Sequence, residues 1–129
     1  MEQFRILVFH TIFSENAFCL SRRLGITIEN NFTPEEGKIY LVFGAHEQAI
    51  NLYNIQRQVK NIKFIIINTE PPQSNHLKNK YFLTLMKENI VWDYHDLSKK
   101  YLGGQGIRVY SMYFPEFVYT PVETPRAID

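Results

Sequence analysis

The amino-acid sequence predicts an α/β domain, a Rossmann-like three-layer sandwich built on a mainly parallel sheet of about five strands. Three observations carry that expectation. Short apolar runs alternate with amphipathic helical segments almost without a break. The connections between the apolar runs are too long for hairpins, which argues for βαβ units. Several runs are continuously apolar instead of alternating, as strands buried on both faces are.

The first such run is Arg5 to His10. Ser14 then supplies a helix cap, Phe13, Ala17, Leu20 and Leu24 follow at helical spacing, and Gly25 sits where a left-handed terminating residue is easiest. Ile26 to Ile28 reads as a short edge strand, and Asn30 to Gly37, polar and containing Pro34, as a loop. Lys38 to Phe43 is the second long strand, ended by Gly44. A helix from about Glu47 to Val59 follows, with Ala49, Leu52, Tyr53 and Val59 on one side and Gln56 interrupting the stripe.

Lys63 to Asn68 is the most apolar run and is expected at the centre of the sheet; Pro71-Pro72 forbids its continuation. Ser74 opens a helical segment with Leu77, Tyr81, Leu85 and Met86 on one face. Asn89 to Tyr94 is the next strand, Asp96 caps a short helix closed by Gly103-Gly104, and Ile107 to Tyr113 is the last strand. Residues 1–121 are read as one domain and 122–129 as a tail or linker.

Composition narrows the function classes. At 129 residues, 45% apolar and 15% aromatic, the chain is the size of one domain with a substantial core. A formal net charge of +1, with acidic and basic residues interspersed, lacks the one-sided basic stripe of a nucleic-acid binder. The single Cys19 rules out internal disulfides and Cys-based metal clusters, and its helical apolar setting predicts a buried, inert thiol. The N-terminal apolar run is too short and wrongly flanked for a signal peptide or a membrane span, so a cytoplasmic location is expected.

In open parallel sheets, ligands sit beyond the carboxyl ends of the strands, where helix N-termini point. Those ends carry His10-Thr11, His46-Glu47, Thr69-Glu70, Asp93-Tyr94-His95 and Tyr113-Phe114. His10 has the titration range of a general base, or it is a strand-terminal histidine bonded to a neighbouring loop. Glu70, before the Pro-Pro turn, either takes a hydroxyl proton or caps the amides of the next loop. Glu47 complements a helix dipole, and Asp93 either anchors the turn into the next helix or faces a ligand. His10, His46 and His95 show no close ligand spacing, so no metal site is expected. No G-x-G-x-x-G follows the first strand and no phosphate-binding G-x-x-x-x-G-K-[ST] occurs, so a self-contained dinucleotide or nucleoside triphosphate site is not expected.

Phe64-Ile-Ile-Ile-Asn-Thr-Glu70-Pro, Tyr81-Phe-Leu-Thr-Leu-Met-Lys87, Val91-Trp-Asp-Tyr94, Ile107-Arg-Val-Tyr and Pro115 together resemble the N-terminal domain of GT-B glycosyltransferases, of the kind found in bacterial and large-virus surface-glycan clusters. The resemblance covers about Lys38 to Pro121. It implies that Glu70 is the family's strand-end acid and that Trp92, Asp93 and Tyr94 match its Trp-Asp-Tyr; His95 stands where the family has Ser. It further implies an acceptor-side domain for a glycan or other hydroxyl-bearing acceptor. His10 or Glu70 would be the base, and Thr11, His46, Thr69, Asp93, Tyr94, His95 and Tyr113 would contact the ligand. Such a domain binds no cofactor alone; the nucleotide sugar would come with a C-terminal GT-B domain or partner chain, without which transfer is not expected. Alternatives are a protein-interaction or scaffolding module, and a flavodoxin-like small-molecule sensor.

Overall fold

The computed structural model describes residues 3–71, 73–93 and 96–111, with the backbone alone at Asp96. Six strands form one sheet: β1 (Phe4–Val8), β2 (Thr27–Ile28), β3 (Ile39–Phe43), β4 (Lys63–Ile67), β5 (Ile90–Asp93) and β6 (Val109–Ser111). Their order is β2-β1-β3-β4-β5-β6 and every neighbouring pair is parallel. The sixth strand is the two-residue β2, the edge segment anticipated at Ile26 to Ile28, which pairs through Arg5↔Thr27 and Ile6↔Ile28.

Helices α1 (Ser14–Leu24), α2 (Ala49–Gln58), α3 (Lys80–Glu88) and α4 (Asp96–Gly104) connect the strands. The period-2 alternation of strand side chains divides the core in two. Leu7, Val42, Ile66 and Val91 stand in register across four strands and pack beneath Leu52 of α2, Phe82 and Leu85 of α3, and Leu102 of α4. Ile6, Leu41, Phe43 and Ile67 face the other way, onto Ala17 and Leu20 of α1. The chain thus winds left of β1 through α1 and then right through α2, α3 and α4. This reversal beside β1 is the topological switch point of a doubly wound sheet.

Helix ends differ from the sequence expectation at several points: α2 begins at Ala49, after a 3-10 turn at Ala45–Gln48, and Asp96 is the first residue of α4 instead of its cap. A 3-10 turn at Thr11–Phe13 precedes α1, and its cap is His10, whose Nδ1 accepts from the Ile12 amide; Ser14 is the first residue of α1. Ser74 caps a separate 3-10 turn at Asn75–Lys78, and Asn79, accepting from the Tyr81 and Phe82 amides, starts α3. Gly103 and Gly104 lie in the last turn of α4, and the left-handed residue after it is Gly106, at φ +82°. Gly25, at φ +68° with its N–H on the Ser21 carbonyl, ends α1 as its position predicts. Cys19 is half-buried, because α1 lies on the sheet by its Ala17–Leu20 face alone. Among the described residues no helix is long and apolar enough to cross a membrane.

Candidate functional site at the carboxyl edge of the sheet

The loops after β1, β3 and β4 emerge side by side, because those three strands are neighbours in a parallel sheet. The first brings His10 and Thr11, the second His46 and Glu47, and the third Thr69 and Glu70. The geometry joins some of these closely. His46 Nε2 lies 3.3 Å from Glu70 Oε2 and 3.6 Å from Glu47 Oε2, with the His46 side chain 8% exposed. Burial pushes the His46 imidazole below its ordinary range; Glu70 opposes that shift and His76 adds to it.

Glu70 is fixed from two sides. Ser74 Oγ donates to its Oε1 at 2.7 Å. Asn68 organises the turn beneath it: the Glu70 amide donates to Asn68 Oδ1 at 3.3 Å, and Asn68 Nδ2 donates to the Glu70 carbonyl at 3.1 Å. The same Asn68 amide donates to Asp93 Oδ2 at 2.7 Å. Asp93 is 1% exposed, so it lies under the rim, and through Asn68 it supports the turn after β4 that carries Glu70. The turn into the next helix, where the sequence expects Asp93 as an anchor, lies outside the described residues.

His10 is exposed and stands apart from that pair, with the Phe13 ring between them. Ring centroids are 6.1 Å from His10 to Phe13 and 6.5 Å from Phe13 to His46. Gly44 makes room for this ring: a Cβ there would stand 3.4 Å from Phe13 Cε2. On the far side of His10, a groove of about 710 Å³ opens at the ends of β1 and β2, lined by Phe9, His10, Thr11, Ser14, Phe18 and Asn30 among others. Phe18 is 54% exposed there.

Two participants were not anticipated. His76 reaches His46, with ring centroids 4.5 Å apart, and Ser74 holds Glu70. The signal for both was available: Ser74-Asn75-His76 comes one residue after the Pro-Pro stop, so the chain has to turn back over the strand end. Tyr94, His95, Tyr113 and Phe114 lie outside the described residues, as does the 122–129 tail.

The fold and the site together define a doubly wound parallel α/β domain with a His/Glu cluster beside its switch point. Comparison with protein-family models, with curated proteins and with solved structures finds no match.

Proposed function

We propose that this chain is the acceptor-side domain of a GT-B-type glycosyltransferase, recognising a hydroxyl-bearing glycan at the carboxyl edge of its sheet. The observation that carries the reading is the Glu70–His46 pair, 3.3 Å apart and shielded on the rim, at the strand-end position where the resemblance expects an acid. Glu70 accepts the hydroxyl proton and His46 steadies the carboxylate. His10 serves as a donor: with Nδ1 accepting the Ile12 amide, its neutral form carries the proton on Nε2 and offers N–H to a sugar oxygen. The groove on the far side of His10 suits one pyranose of an oligosaccharide, whose apolar ring face stacks on an exposed aromatic such as Phe18, while a neighbouring sugar unit extends past Phe13 to Glu70. The nucleotide sugar comes from a second domain or partner chain, and the domain alone carries out no transfer.

The test is an amide-resolved NMR titration with neutral oligosaccharides, run in chelator. The reading expects shifts confined to His10, Thr11, Thr69, Glu70 and the start of α1, and their loss in Phe18→Ser. Shifts gathered at the opposite strand ends, around Lys38 and Lys63, or no shifts with any sugar, would overturn it. The strand order β2-β1-β3-β4-β5 is that of flavodoxin-like domains and favours a second reading, a small-molecule sensor using the same groove. Saturable binding of an aromatic heterocycle with no response to sugars would select it.

A further inference from the structure

Two imidazoles and a carboxylate from three separate turns converge at the rim: His46 after β3, Glu70 after β4, and His76 in the 3-10 turn before α3. One ligand-capable atom from each lies within 4.8 Å of the others. A tetrahedral zinc ion with bonds of about 2.0–2.1 Å sets its donor atoms about 3.3 Å apart. The His46 Nε2 to Glu70 Oε2 separation is 3.3 Å, so this pair already has the spacing that two ligands of one ion require. His76 is exposed on a short turn, and a movement of at most about 1.5 Å closes the remaining gap to the same spacing.

The support around the cluster also fits. Metal-binding carboxylates are commonly held through their other oxygen, and Ser74 Oγ bonds Glu70 Oε1 at 2.7 Å while leaving Oε2 beside His46. Asn68 fixes the backbone of Glu70 from below.

We propose that His46, Glu70 and His76 form a divalent-metal site with the donor set of zinc, two nitrogens and one oxygen, its fourth position open to water or to Glu47. Magnesium and calcium prefer all-oxygen shells, so the site discriminates against them. The inference rests on these distances and goes beyond the sugar reading. An ion there takes the carboxylate oxygen that an acceptor hydroxyl would use, so the two bind in alternation.

The experiment is isothermal titration of chelator-stripped, untagged protein with ZnCl2, followed by the visible spectrum of the Co2+ form. The expected result is one saturable zinc site, weakened more than about 100-fold in His76→Ala, a larger loss than the 10–100-fold typical of removing an outer-shell partner. Ser74→Ala, which removes such a partner, falls inside that smaller range. A four-coordinate Co2+ spectrum in the parent and its absence in His76→Ala complete the case. No saturable zinc binding, or equal binding in parent and His76→Ala with both folded by circular dichroism, would overturn it. Because the sugar titration is done in chelator, either reading can fail without the other.

Discussion

Asn89 offers the sharpest test of how the sheet is held to its helices. It precedes β5, is 3% exposed, and uses its whole hydrogen-bonding capacity. Its Oδ1 accepts from the Phe64 amide at 3.0 Å and from Gln56 Nε2 at 2.9 Å. Its Nδ2 donates to the Leu85 carbonyl at 2.7 Å and to Gln56 Oε1 at 2.8 Å. The Phe64 bond extends the β4–β5 ladder one step before pairing begins at Ile65↔Ile90, and the reciprocal Gln56 pair ties α2 to the same point. Asn89→Ala leaves the buried Phe64 N–H unpaired, at about 1–3 kcal/mol, and removes a partner of the Leu85 carbonyl; Gln56, half-buried, rehydrates in part.

The expected loss is about 3–4 kcal/mol, against a total stability of about 6–19 kcal/mol for a domain of this length. In urea, with a slope near 2 kcal/mol per molar, the midpoint falls by about 1.5–2 M. The double-mutant cycle with Gln56→Ala should show coupling of about 1 kcal/mol or more, since each amide satisfies the other. A loss below about 1 kcal/mol, or strict additivity with Gln56→Ala, refutes the assignment of this network as a structural tie.

Gly44→Ala should cost about 1–2 kcal/mol, because φ is +80° there while the new methyl meets Phe13 at an ordinary 3.4 Å; thermal unfolding should shift down by about 4–8 °C. A shift below about 1 °C would show that the backbone relaxes. His10→Ala removes only a cap on a three-residue turn and should move the melting temperature by about 4 °C or less; unfolding would make His10 structural. Tyr40 is fully buried, its hydroxyl accepting from the Glu35 amide at 3.1 Å, and burial raises its pKa. The folded value therefore exceeds the unfolded one. Its contribution is complete below about pH 10 and is lost as pH rises through the higher folded value. Tyr40→Phe should flatten the fall in urea midpoint as pH rises above about 10, and an unchanged slope there would contradict this. Glu70→Gln should leave stability within about 1 kcal/mol while raising the His46 pKa less than the carboxylate does; an unmoved His46 titration by NMR would dissociate the pair.

The sequence by itself determined the strands, the helices between them and their common direction. These follow from local patterning: a run such as Phe64 to Ile67 is apolar enough to be buried on both faces, and a dozen or more residues between runs leave room only for a crossover. It also brought His10, His46 and Glu70 to one edge of the sheet, since parallel strands all end on the same side. Tertiary structure alone decided which of them touch. The order β2-β1-β3-β4 sets the turns after β3 and β4 next to each other. Glu70 then meets His46, while Phe13 holds His10 apart. Asp93 reads in sequence as a rim acid, yet Asn68, one strand away, draws it beneath the turn. His76 joins His46 because Ser74 bonds Glu70 and folds the post-strand turn back over the edge. Periodicity cannot encode such contacts, because each depends on hydrogen bonds between side chains that the fold first has to bring together.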